Sequence, residues 1–140
     1  MGRAVRVNIK GLIELKQNLV EQQKQMDDYL RLLASDIAAL LLRKVIKRTP
    51  VGVYPHKTGG NLRRGWTVGE VVKTNNGYKV EVINSVEYAS YVEYGHRTRN
   101  HKGWVPGRFM LTISENEIRD NLESIIQKRL KVILEKMKNA

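Results

Sequence analysis

Three histidines, His56, His96 and His101, are the first residues to test for chemistry in this chain. A transition-metal site draws on imidazoles at fixed spacing, commonly i and i+4 on one helix, with thiolates or carboxylates completing the shell. Here the histidines are spread over two glycine-rich loops, no HExxH pattern occurs, and there is no cysteine. They are expected to be exposed loop residues, and no metal is expected. Nucleophilic catalysis has no better foundation, because Ser85, Ser90 and Ser114 lie in no nucleophile-elbow sequence. Glu87 and Glu93 would fall nearly two turns apart on a short helix, so they read as solvated charges and not as an acid–base pair. Thr58-Gly59-Gly60 lacks the strand-to-helix setting and the following lysine of a phosphate loop. No catalytic, cofactor or metal site is implied, and the chain is not expected to be an enzyme.

Binding chemistry is better represented. The chain carries 25 basic and 14 acidic residues, a net charge of +11. Placement says more than the sum. No acid lies between Asp36 and Glu70, where Arg43, Lys44, Lys47, Arg48, Lys57, Arg63 and Arg64 all fall. A second acid-free window, Tyr94 to Ser114, holds Arg97, Arg99, Lys102 and Arg108. Such clustering raises the local potential and favours acidic partners, whether nucleic acid or an acidic protein surface. Arg63, Arg64, Arg97, Arg99 and Lys102, with Trp66, Tyr94 and Trp104 nearby, resemble the mixture of cations and stacking surfaces used on single strands. Against that, the tryptophans suit a core equally well, and no recognised nucleic-acid-binding motif is present.

The elements that must position these residues form two helical arms around an irregular middle. One domain, residues 1–140, is expected at this length, with a core that needs no disulfide. The N-terminus shows no charged-then-apolar signal pattern, and the longest apolar run, Ile37 to Leu42, is too short to span a bilayer. That predicts a soluble intracellular product. Val5, Val7 and Ile9 alternate with polar residues as in a short strand ended by Gly11. Leu12, Leu15, Leu19, Gln22 and Met26 then recur at helical steps, followed by Leu30, Leu33, Ile37, Leu40 or Leu41, and Val45. Residues 12–48 fit one bent helix or two. Pro50 disfavours helix at Thr49 and should stop it.

After a loop over Val51 to Gly60, a strand from Gly65 carries Trp66, Val68 and Val72 on one face. Asn75-Asn76-Gly77 predicts a three-residue hairpin turn with Gly77 left-handed, setting Val72 opposite Val80 on a returning strand, Tyr78 to Asn84. Ser85 could cap a short helix with Tyr88, Tyr91 and Val92 on one face and Gly95 as its stop. A loop from His96 to Pro106 follows. A last helix is expected from about Gly107 to Lys138, its stripe running through Met110, Ile113, Leu122, Ile125, Ile126, Leu130, Ile133 and Met137. The fold class is therefore α+β: a small antiparallel sheet built around a hairpin, packed with long N- and C-terminal helices.

The middle carries a resemblance that composition does not supply. Thr49-Pro50, Thr58-Gly59 with Leu62-Arg63, Tyr88-Ala89 with Tyr91-Val92-Glu93-Tyr94-Gly95-His96, and Val105-Pro106-Gly107-Arg108 occur in that order. Together they resemble the tail-component family of long-tailed phages of the HK-ninety-seven type. The opening, Ile9-Lys10-Gly11-Leu12 with Leu15, is also similar, so the likeness covers about residues 5–125. One departure is a longer loop between Thr49-Pro50 and Thr58-Gly59, whose tip, Val53 to Lys57, carries no inherited assignment. The resemblance implies a structural virion morphogenesis protein of a phage or prophage, without catalysis. It implies a neck or tail-completion component joining the head connector to the tail, typically as a hexameric ring. Its partners would be other neck, connector and tail proteins, with assembly in the host cytoplasm and no membrane, and with room for non-specific contact with DNA. The residues expected to meet protein partners are Arg63, Arg64, Tyr94, His96, Arg97, Arg99, Lys102, Trp104 and Arg108. The loops over residues 52–64 and 95–108 are expected to be mobile until docked. The alternative function is a basic nucleic-acid-binding module, and a small nuclease or toxin stands further behind.

Overall fold

The computed structural model describes residues 9–52 and 55–138. It opens on a single helix, α1 (Ile9–Arg48), which settles the question of one helix or two. Neither proline nor any glycine after Gly11 interrupts this stretch, so its backbone ladder can run unbroken. Gly11 therefore lies within the helix and does not end a strand. Of the strand expected at Val5 to Ile9, only Ile9 falls among the described residues, and it is helical. The stop at Thr49-Pro50 is where the sequence placed it. There the Thr49 amide donates to the Val45 and Ile46 carbonyls at 3.0 and 3.2 Å, with the cations Lys47 and Arg48 in the last turn.

Beyond this corner come α2 (Asn61–Arg64), β1 (Trp66–Val68), β2 (Val72–Thr74), β3 (Gly77–Lys79) and β4 (Val82–Asn84). β1 pairs with β4 and β2 with β3, both antiparallel, as two segments of one long hairpin. The register differs from expectation. Val72 faces Lys79, not Val80, and Thr74 faces Gly77, so the turn holds only Asn75 and Asn76. Gly77 opens the returning strand and does not occupy the turn. Between the paired segments the outgoing strand has three residues, Gly69 to Val71, against Val80 and Glu81 on the return. That extra residue is a bulge, closed by the Gly69 amide on the Glu81 carbonyl at 2.8 Å.

Next come α3 (Ala89–Tyr94), β5 (Gly95–Arg97), β6 (Trp104–Pro106), α4 (Met110–Asp120) and α5 (Leu122–Lys138). Ser85 does not cap α3. Instead the Asn84 side chain accepts from the Val86 amide at 2.9 Å and donates to the Leu62 carbonyl at 2.8 Å. The stretch expected as a loop over His96 to Pro106 is largely a hairpin, with Gly95 opposite Pro106, His96 opposite Val105 and Arg97 opposite Trp104. The last helix begins at Met110, not Gly107, and breaks at Asn121. The Asn121 side chain there bonds the Glu117 carbonyl at 2.9 Å, competing with the helical ladder.

The core gathers Val45, Leu62, Trp66 and Met110, with Leu41, Leu42, Val82, Val86, Ala89 and Val92 packed around it. Burying each of the four large side chains is worth roughly 1.5–3 kcal/mol. Leu33, Ala38, Ile118 and Ile133 are buried as well. The buried face of α4 runs through Met110, Ser114 and Ile118, leaving Ile113 at 42 % exposure, so the expected stripe is turned. Ser114 is tolerated inside because its hydroxyl donates to the Met110 carbonyl at 2.6 Å and accepts from Arg48 at 3.2 Å. Lys44 and Arg48 both pair with Glu117, tying α1 to α4. These two cations, Lys44 first, hold the Glu117 carboxyl below its usual range. At the far side of the long hairpin, Asp27 accepts from the Tyr78 hydroxyl at 2.5 Å and from Lys73 at 2.9 Å, which lowers its pKa and raises both of theirs.

Every described side chain of α1 from Lys16 to Met26 is exposed, Leu19, Val20 and Met26 at 57–58 %. The side chains of Leu12, Leu15 and Met137, three members of the expected stripes, lie outside the described residues.

Candidate docking face

The family-like middle is built on two buried polar knots. The first is at the α1 corner. Thr49, 1 % exposed, donates through Oγ1 to the Val45 carbonyl at 2.7 Å and accepts from the Trp66 indole Nε1 at 2.7 Å. Arg63 closes the same corner by donating to the Thr49 carbonyl at 2.9 Å. Trp66 is 8 % exposed, so it belongs to the core and offers no stacking surface. Arg64 is occupied as well, donating to the Gly59 carbonyl at 3.1 Å and to Asn61 Oδ1 at 2.6 Å.

The second knot is Glu93. It is 6 % exposed and not the solvated charge its sequence setting suggested. Its carboxylate accepts from the Leu111 amide at 2.9 Å, the Thr112 amide at 2.8 Å and the Thr112 hydroxyl at 2.8 Å. Those amides are the second and third of α4, so Glu93 caps a helix more than fifteen residues further along the chain. A negative charge there also complements the helix dipole. The backbone reinforces the join, with the Arg108 amide on the Val92 carbonyl at 2.7 Å and the Phe109 amide on the Glu93 carbonyl at 3.0 Å. Such closeness demands two glycines. Gly95 has φ +91°, and a Cβ there would sit 2.6 Å from the Val105 carbonyl oxygen, while one on Gly107 would strike the Glu93 carbonyl.

The β5–β6 hairpin springs from this clamp. Its tip is knitted from within: the Thr98 amide meets the Gly103 carbonyl at 3.0 Å and the His101 amide meets the Thr98 carbonyl at 2.8 Å. Thr98 Oγ1 receives the Gly103 amide at 3.0 Å, and Asn100 Oδ1 receives the Lys102 amide at 3.1 Å. Four amides of the tip, those of Thr98, His101, Lys102 and Gly103, are thus paired within it.

A strip of aromatic and apolar side chains surrounds the clamp on the outside. Tyr91, Tyr94 and Trp104 are 60–63 % exposed, and Tyr88, Val105 and Phe109 are exposed as well. Tyr94 and Phe109 meet edge to face at 6.5 Å, and Tyr91 lies 5.9 Å from the His96 ring. Tyr88 and Tyr91 were expected to share a face with Val92, but α3 packs through Ala89 and Val92 while Tyr88, Tyr91 and Tyr94 are exposed. The three-residue spacing of Tyr88, Tyr91 and Tyr94 is the signal that marks this strip. His96 is half-buried, and its Nδ1 has no hydrogen-bond partner among the described residues. Arg97, Arg99, Lys102 and Arg108 are exposed, and none of their side chains makes an ion pair or hydrogen bond among the described residues. The expected set therefore divides. Arg63 and Arg64 build the corner, whereas Tyr94, His96, Arg97, Arg99, Lys102, Trp104 and Arg108 lie on or beside the β5–β6 hairpin and the clamp.

Among the described residues no cluster of His, Asp or Glu is placed to hold a metal ion, and no helix is long and apolar enough to cross a membrane. His56 is exposed in the segment after Pro55, and His101 sits at the hairpin tip with φ +59°.

The architecture is thus an α+β scaffold whose clamped centre carries an exposed aromatic strip. The chain belongs to the bacteriophage HK97-gp10 tail-component family, whose model matches residues 13–95. It is a structural phage protein of the tail, and its setting is the virion among other tail proteins. No match was found among curated proteins or among solved structures.

Proposed function

We propose that this tail component is a neck or tail-completion protein that joins the head-side connector to the tail as a ring of identical copies, a hexamer in the simplest case. Assembly takes place in the host cytoplasm, and the ring is then retained in the virion. The observation that carries this reading is the exposed strip of Tyr91, Tyr94 and Trp104, at 60–63 % exposure on a rigid clamp. Contiguous apolar surface of this kind marks an interaction site. A closed ring of one subunit needs two different faces that fit each other. The chain offers two of unlike character: the aromatic strip, edged by Arg97, Arg99, Lys102 and Arg108, and the bare flank of α1 bearing Leu19, Val20 and Met26. Tyr94, His96, Trp104 and Arg108 form the centre of the proposed docking face. Arg63 and Arg64 act on it indirectly, by fixing the corner beneath it.

Negative-stain microscopy of the purified protein, alone and mixed with the products of neighbouring genes, tests the proposal. Rings or ring-capped tails are expected. Tyr94→Ala combined with Trp104→Ala should abolish them while thermal unfolding stays within about 0.5 kcal/mol of the parent, as for exposed positions generally. Unchanged assembly by that double variant would remove the strip from the interface.

A further inference from the structure

The hairpin tip gathers cations at the edge of the proposed docking face, next to one of its aromatic rings. Arg97, Arg99 and Lys102 lie within six residues of one another, and Trp104 stands opposite Arg97 in the strand register. No acid occurs between Tyr94 and Ser114. The nearest carboxylate before this window, Glu93, is buried and committed to the start of α4. Several cations elsewhere are occupied, Lys44, Arg48, Lys73 and Lys79 in ion pairs and Arg63 and Arg64 on carbonyl oxygens, while exposed helical cations such as Arg43, Lys47 and Arg119 have no aromatic ring opposite them in a strand pair. The tip cations instead stand on a backbone already knit by Thr98 and Asn100, beside an indole that is 60 % exposed.

We propose that the β5–β6 hairpin is a nucleic-acid contact: Arg97, Arg99 and Lys102 neutralise backbone phosphates, and Trp104 offers its face to an unpaired base. A polyanion whose charges repeat every few ångströms satisfies three neighbouring cations at once, and free guanidinium groups beside an open aromatic ring are the combination that grips strands without reading sequence. The preformed tip lowers the ordering cost of binding. This contact does not rest on the proposed ring, because a purified subunit that never entered a virion would still make it.

The test uses the purified full chain and short synthetic oligonucleotides, single-stranded and duplex, titrated at several salt concentrations. Anisotropy of end-labelled oligonucleotides reads binding by the parent and every variant; because Trp66 is buried, quenching of tryptophan emission in the parent additionally reports Trp104. Saturable binding is expected in the range of about 10⁻⁴–10⁻⁶ M, with log K falling against log salt at a slope of roughly 2–3 for three phosphate contacts. Replacing Arg97, Arg99 and Lys102 together by Gln should remove most of that slope. Arg43→Gln with Lys47→Gln and Arg119→Gln, an equal loss of charge at exposed helical positions, should keep it. Trp104→Ala should weaken the single strand about fivefold or more and leave the duplex unaffected. Equal weakening of both forms by the tip variant, with no effect of Trp104→Ala, supports the phosphate contact and removes the stacking. The proposal is overturned if the anisotropy does not saturate at low salt, if binding ignores salt, or if the control variant loses as much as the tip variant. It is also overturned if poly-glutamate binds as tightly as the oligonucleotides.

Discussion

Replacing Glu93 with alanine should destabilise the protein more than any substitution on the exposed strip beside it. The carboxylate caps two α4 amides and the Thr112 hydroxyl, and it is almost wholly enclosed. Loss of a helix cap costs about 1 kcal/mol, and donors left unmatched away from water add about 1–3 kcal/mol. Glu93→Ala is therefore expected to cost about 3 kcal/mol. In a chain of this length that lowers the melting temperature by roughly 10 °C. Glu93→Gln keeps one acceptor oxygen and should cost about 1 kcal/mol, since it loses charge assistance but not every partner. Urea unfolding at neutral pH, followed by circular dichroism, measures both. A cycle with Thr112→Val should show the two residues to be coupled, because they share a hydrogen bond. An alanine variant within about 0.5 kcal/mol of the parent, or additive effects in the cycle, would show that Glu93 does not hold α4 in place.

Three further outcomes follow from the same geometry. Thr49→Val keeps the side-chain shape but strands the Trp66 indole N–H, and denaturant unfolding should register a loss of about 1–3 kcal/mol. Gly95→Ala and Gly107→Ala force a Cβ against backbone, so each should reduce soluble yield or lower the melting temperature sharply, while Gly69→Ala, whose Cβ would meet the Glu81 carbonyl oxygen at an ordinary 3.6 Å, should not. Acid titration should expose the Glu117 pairing. Its folded pKa lies below the ordinary 4.5, so the stabilisation is present above that value and is lost as pH falls through the lower, folded one. A Glu117→Gln variant should therefore differ from the parent at neutral pH and converge with it in acid.

Much of the frame is legible in the sequence because it depends on near neighbours. Uninterrupted helical spacing, Pro50 as a stop and the paired stretches of the long hairpin all follow from local rules. The hairpin register was missed because the turn holds two residues and not three, which pairs Gly77 with Thr74; the bulge at Gly69 to Val71 then adds a residue that valine alternation cannot reveal. The break at Asn121 was missed because it depends on one side chain turning back onto Glu117, without a glycine or proline to announce it. Glu93 is the instructive case. Beside Tyr94 and Gly95 it looks like any surface carboxylate, and only the return of the chain through Gly107 brings the donors that make its burial tolerable. The cationic and aromatic candidates at the β5–β6 hairpin were readable from type and position. That Arg63 and Arg64 were committed elsewhere was not, since their acceptors are carbonyl oxygens that any residue supplies.

The forty residues of α1 form an unbroken rod that begins far from the Thr49 corner and ends in it. At 1.5 Å per residue the rod measures about 60 Å. Its later turns are tied to the body by Asp27 on Lys73 and Tyr78, Arg31 on the Val71 carbonyl, and Lys44 and Arg48 on Glu117. The turns from Lys16 to Met26 lie beyond the first of these ties, roughly 16 Å of exposed helix that holds Leu19, Val20 and Met26 out in solvent.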